Sequence, residues 1–241
     1  MINTSLYAST TDDRIESSAK QTYVFKTYLK DENIAMSSKD GNVTLTGTVS
    51  EEQYLSLAKD TVAGLPGVKS VDNQLTVAAD APLAGSDAWL ITKVKFTLLI
   101  NKNVNVGTNV TAENGVVTLR GEAANMAQKD LTTAYAADVE GVTSVINEMT
   151  VSAEVSQEKS KTAVKMEAIS ESVDDASITA LVKGTLLCHR STSALRTNVQ
   201  TNGGVVTLSG EAKSDAEKDL AAKLVSDVHG VKKVVNNITV I

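Results

Sequence analysis

The chain has 241 residues, a net charge of -6 and 3% aromatic residues. An acidic balance argues against non-specific DNA or RNA binding, which needs a basic footprint, and so few rings mean that the cores are built from Val, Leu, Ile and Ala. The single cysteine, Cys188, excludes an internal disulfide framework and a cysteine-based zinc site, and no apolar run is long enough to cross a bilayer.

Residues 1–11 carry neither the basic region nor the apolar stretch of an export signal, and they are expected to be disordered. Either the protein is cytoplasmic or an export signal has been removed ahead of Met1. A first unit spans 12–78. Its helix opens at Asp12, read as an N-cap, and places Ile15, Ala19 and Tyr23 on one stripe. A short strand at 34–38, an Asp40-Gly41 turn and a second strand form a predicted hairpin. The second strand turns Val43, Leu45, Gly47 and Val49 inward and its threonines outward. A glycine among core-facing residues is read as close approach by a helix. A second helix buries Leu57, Ala58, Thr61, Val62 and Leu65 and stops at Gly67. A last strand alternates Val71, Asn73, Leu75 and Val77.

Residues 78–86, with Pro82 and Gly85, form a short irregular joint. The second unit, 86–151, repeats the order: a helix from Asp87 with Leu90, Val94 and Leu98, a strand at 109–113, an Asn114-Gly115 turn, and a strand carrying Val117, Leu119, Gly121 and Ala123. A helix capped by Asn125 and Gln128 and a last strand with Val145, Asn147, Met149 and Val151 complete it. The segment 152–172 lacks Pro and Gly and is rich in Glu, Lys, Ala and Ser, so it is predicted to be a helical linker, with the helix over 154–170. The third unit, 173–241, opens at Asp175 with Ile178, Val182 and Leu186. It continues through a Gly203-Gly204 turn, a strand with Val206, Leu208, Gly210 and Ala212, a helix capped by Ser214 and Glu217, and a strand with Val234, Asn236, Ile238 and Val240.

Two motifs measure the repetition. Gly-Val-Val-Thr-Leu-x-Gly stands at 115–121 and 204–210, with Gly-Asn-Val-Thr-Leu-Thr-Gly at 41–47. Gly-Val-x-x-Val-x-Asn stands at 67–73, 141–147 and 230–236. Both recur at offsets of 74 and then 89 residues, so whole units are repeated. The predicted fold class is α+β: three tandem αββαβ domains, each a three-stranded sheet covered on one face by two helices.

This element order, with both motifs in every unit, resembles the BON domain family. The resemblance covers 12–77, 87–151 and 175–240. It implies an αββαβ fold, a periplasmic location in the cell envelope, no enzymatic activity, and roles in phospholipid association or in osmotic and envelope stress. A third unit departs from the two copies more usual in the family.

One stripe belongs to the second unit alone. Trp89, Lys93, Phe96 and Ile100 recur at helical spacing, roughly 130° around the first helix from its core ladder, with Lys95 nearby. Rings beside lysines suit a phospholipid surface. The alternative is packing against a neighbouring unit or a partner, because an apolar patch of this size needs a cover. These five residues are the candidate lipid- or partner-binding site. The repeated Asn73, Asn147 and Asn236 share the core-facing parity of their strands. They are read as amides that satisfy backbone groups rather than as ligand contacts. Cys188-His189-Arg190 and the only other histidine, His229, offer no third metal ligand at a recognisable spacing. No recurring acid/base pair, phosphate loop or dinucleotide fingerprint is present, so neither catalytic residues nor metal nor cofactor is expected. The leading expectation is an envelope protein that associates with phospholipid surfaces. The alternative is a chaperone-like or scaffolding protein for other envelope proteins.

Overall fold

The computed structural model describes residues 4–104, 107–151, 173–192 and 196–241, with side chains from Thr11 onward. The predicted helical linker over 152–172 lies outside these residues. Unit one contains α1 (Thr4–Gln21), α2 (Tyr23–Thr27), β1 (Asn33–Lys39), β2 (Asn42–Val49), α3 (Glu52–Ala63) and β3 (Ser70–Val77). Unit two contains α4 (Asp87–Ile100), β4 (Asn109–Glu113), β5 (Val116–Arg120), β6 (Glu122–Ala123), α5 (Met126–Asp138), β7 (Ser144–Asn147) and β8 (Thr150–Val151). Unit three contains α6 (Asp175–Cys188), β9 (Arg196–Asn202), β10 (Val205–Ala212), α7 (Asp215–Ser226) and β11 (Lys233–Val240).

The hairpin-forming second strand is central in each sheet. β2 runs antiparallel to β1 and parallel to β3, and β10 does the same between β9 and β11. Unit two repeats this as β4-β5-β7, and past Gly121 the short β6 and β8 continue the parallel pairing. Val43 with Leu45, Val117 with Leu119 and Val206 with Leu208 point inward and are buried. The central strand carries the cores because both its neighbours are paired and one face lies under the helices.

Helix α1 begins at Thr4, so 4–11, expected to be disordered, are helical. The segment has no Pro or Gly, and once the Asp12 ladder nucleates a helix, extending it backward costs little. The chain then breaks at Thr22, whose extended backbone and hydroxyl cap α2.

The three aspartates do something other than cap. The N-caps of α4 and α6 are Ser86 and Asp174, one residue earlier. Asp87 Oδ1 and Oδ2 accept the N–H groups of Gly115 (2.9 Å) and Asn114 (2.7 Å). Asp175 does the same for Gly203 (2.7 Å) and Gly204 (2.8 Å), and Asp12 for Asp40 (2.8 Å) and Gly41 (2.9 Å). Each carboxylate therefore ties the first helix to the hairpin turn. The turn presents both donors because its two central residues have positive φ, 54° and 81° at Asp40 and Gly41.

The glycine of the central strand also differs from expectation. A Cβ on Gly47 or Gly210 would lie 2.0 Å from the carbonyl oxygen of Asn33 or Arg196, at the start of the adjacent edge strand. The close neighbour is strand backbone, not a helix. The repeated asparagine is a strand-to-helix tie: Asn73, Asn147 and Asn236 donate to the carbonyls of Leu55, Lys129 and Lys218 at 3.0, 3.0 and 2.8 Å. Their side-chain oxygens accept the N–H two residues on.

Candidate functional site

Helix α4 has apolar side chains on two faces, and they enter two different cores. Leu90, Val94 and Leu98 pack with Val117, Leu119, Tyr135, Ala136 and Val139 inside unit two. Phe96 (2% exposed) and Ile100 (0%) belong to a second core that runs without interruption from unit one into unit three. The Phe96 ring meets Tyr54 of α3 edge to face at 6.3 Å. On its other side lies Gly184 of α6, where a Cβ would come within 3.3 Å of the ring. The stripe is thus a plug between the outer units, and neither Phe96 nor Ile100 is available to a bilayer in this arrangement. For Phe96 and Ile100 the geometry fits the second of the two expectations, packing against neighbouring units, rather than a lipid-facing position.

The other three candidate residues differ in exposure. Trp89 is half-buried, and its indole N–H donates to Glu52 Oε2 of unit one at 3.0 Å. Lys93 Nζ lies 4.3 Å from the Trp89 ring centroid and 3.6 Å from Glu140. Its stem is buried along the helix while its charge is answered on both sides. Lys95 is exposed.

Unit one docks on α6 through the break at Thr22. The N–H groups of Tyr23 and Val24, released from the helical ladder, donate to Asp174 (2.8 Å) and Ser177 (3.0 Å). Lys183 pairs with Asp60 at 3.0 Å, and Gly64 admits Ala176.

Units two and three meet with approximate two-fold symmetry. Asn101 and His189, the C-caps of α4 and α6, bridge to Val228 and Val139, which follow α7 and α5. Equivalent positions pair reciprocally, as in an isologous dimer. One aspartate in each unit anchors the seam. Asp138 is met by His189 Nδ1 at 3.0 Å and by the Ser191 hydroxyl. Asp227 accepts Asn103 Nδ2 at 2.8 Å and the Tyr135 hydroxyl. Burial pushes the Asp138 carboxyl upward, but the bonds from His189 and Ser191 outweigh it and hold it below the ordinary value. Arg190 closes the seam by donating to the Val142 carbonyl at 2.7 Å. These anchors were missed from the sequence, although a signal exists: Asp138 and Asp227 stand 89 residues apart, the repeat offset, and unit one has Gly64 there.

The Cys-His-Arg run is therefore structural. Cys188 is buried and its thiol is pushed up to about 11 by that burial, far from a reactive thiolate. His229 is lowered by burial and by Lys102. Among the described residues no three His, Cys, Asp or Glu side chains gather as a metal site, and no helix is long and apolar enough to cross a membrane.

The model of the BON domain family matches 11–79, 86–153 and 174–241. The osmotically-inducible protein Y of Escherichia coli is 32% identical over 153 residues, 63% of this chain and 71% of that protein. The 21 kDa hemolysin of Actinobacillus pleuropneumoniae and the outer membrane lipoprotein DolP of Haemophilus influenzae are each 32% identical over 127 residues. Those two matches span 53% of this chain and 59% of each relative, under two thirds of their length.

Proposed function

This chain belongs to the BON domain family, with three BON domains in series, and from that premise we propose that it is a non-enzymatic cell-envelope protein that binds and steadies other envelope proteins during osmotic or envelope stress. The names of two relatives, one osmotically inducible and one an outer membrane lipoprotein, support the location and the setting. The burial of Phe96 and Ile100 carries the choice of partner. Most of the apolar stripe that would have entered the headgroup region is used to join the units, which withdraws its anchoring side chains from a bilayer and favours a protein partner. The test is suppression of light scattering by an unfolding client protein, run beside flotation with anionic vesicles. The expected result is less scattering and no flotation. Flotation that Trp89→Ala abolishes, with scattering unchanged, would sink this reading.

A second reading, peripheral association with phospholipid, is favoured by one observation. Trp89 is only half-buried and Lys95 is exposed, residue types that suit an interface where rings and lysines meet headgroups. The same flotation experiment decides between them.

A further inference from the structure

We infer that the junction of the three units is a docking cleft for a basic, leucine-bearing segment of a partner protein. This rests on the protein-binding reading above and supplies it with a site. The cleft has a volume of about 260 Å³ and draws its walls from all three units: Glu52 from α3, Trp89 and Lys93 from α4, Glu140 after α5, and Gly184 and Leu187 from α6. It exists only when the units are assembled.

Two features define the occupant. The first is an apolar anchor point. Leu187 is 55% exposed on a helix whose other large apolar residues are covered. It shares the cleft wall with the half-buried Trp89 and with Gly184, whose missing side chain lets the Phe96 ring pack beneath. An aliphatic side chain seated there covers surface that the chain itself leaves wet.

The second is charge. Lys93 is the cleft's one cation. It is buried, held over the Trp89 ring and paired with Glu140, so little of its charge faces outward. Glu52 and Glu140 are both exposed. Among the described residues Glu52 has an indole N–H as its partner and no ion pair. Two carboxylates against one cation leave the cleft with a surplus negative charge that favours a cationic ligand, and the chain's net charge of -6 adds a general attraction. An anionic headgroup meets the opposite field. A lysine or arginine between Glu52 and Glu140, with a leucine one or two residues away on Leu187, satisfies both features.

The experiment uses the full chain and a short fluorescein-labelled peptide of alternating lysine and leucine, with an alternating glutamate–leucine peptide and phosphatidylglycerol vesicles as the other arms. Peptide anisotropy reads binding, and the emission of Trp89, the only tryptophan, reads the site. The basic peptide should raise anisotropy and shift Trp89 emission, more strongly at low salt. Leu187→Ser, at an exposed position, should weaken it about tenfold with the far-ultraviolet circular dichroism unchanged. Glu52→Gln with Glu140→Gln should weaken it and flatten its salt dependence. The inference is overturned if the acidic peptide binds as well, if anionic vesicles move Trp89 and the peptide does not, if anisotropy rises without any change at Trp89, or if Leu187→Ser binds like the parent. Client protection that persists when the peptide fails removes the cleft and leaves the protein-binding reading standing.

Discussion

The Phe96→Ala variant separates a core plug from a surface patch more sharply than any other change. Phe96 is 2% exposed and lies between Tyr54 and Gly184. A buried phenylalanine hides about 150 Å² or more, and about 25 cal/mol per Å² makes that about 4 kcal/mol. Truncation to alanine in a core costs about 3–5 kcal/mol, the upper part reached where the cavity cannot collapse. Collapse is resisted here because the ring is held between units one and three. At about 2–4 °C per kcal/mol for a chain of this size, the thermal midpoint should fall by on the order of 10 °C. The assay is thermal and urea unfolding followed in parallel by far-ultraviolet circular dichroism and by Trp89 emission. Trp89 bonds to Glu52 across the unit boundary, so its emission should red-shift at least as early as helix is lost. Lys95→Ala, on the same helix but exposed, is the matched control and should stay within about 0.5 kcal/mol of the parent. A Phe96→Ala midpoint within about 2 °C of the parent would refute the plug and return the stripe to the surface.

Three further outcomes follow from the described geometry. Asp87→Ala and Asp175→Ala each remove two charge-assisted bonds to a hairpin turn and should cost about 2–4 kcal/mol in urea unfolding, whereas a mere capping role would cost about 1 kcal/mol. Gly47→Ala and Gly210→Ala place a Cβ 2.0 Å from a carbonyl oxygen, against 3.2 Å for Gly121→Ala. The first two should therefore fold poorly or lose on the order of 3 kcal/mol, and the third should lose clearly less, as read by thermal midpoints. Asp12 and Asp138 are both held below the ordinary carboxyl value, Asp12 chiefly by the Gly41 N–H and Asp138 by His189 and Ser191 against its burial. A depressed folded value gives stability that is fully present above about pH 5 and is lost as pH falls through that value. Urea midpoints of the parent should drop between about pH 5 and pH 3 more steeply than those of Asp12→Asn or Asp138→Asn, and parallel curves would contradict both assignments.

Local pattern carried the units because each is built from short-range periodicities. The ladder Leu90, Val94, Leu98, the Asx-Gly turn and the alternation of Val117 and Leu119 fall within a few residues of one another, and each names its own element and inward face. The asparagine at the motif end was legible for the same reason: a polar side chain on a buried parity must be bonded, and it is, to the crossover helix. What failed were statements about partners in space. Asp87 resembles a cap when only its own helix is considered, yet its partner is a turn 27 residues on. Gly47 on a core-facing parity points to a helix as its neighbour, yet the neighbour is the edge strand paired to it.

By itself the sequence determined three αββαβ units, their inward faces, and the singular second stripe on the first helix of unit two. It left open what that stripe faces, because lipid, a partner and a neighbouring unit are all apolar and all accept Trp, Phe and Ile at helical spacing. Only the tertiary structure decided it. The break at Thr22, Ser177 and Gly184 hold α3 and α6 at the separation that admits Phe96, and Asp138 and Asp227 set units two and three in reciprocal register. Such complementarity depends on shapes and donors brought together from more than 50 residues apart, and periodicity within one helix holds no record of it.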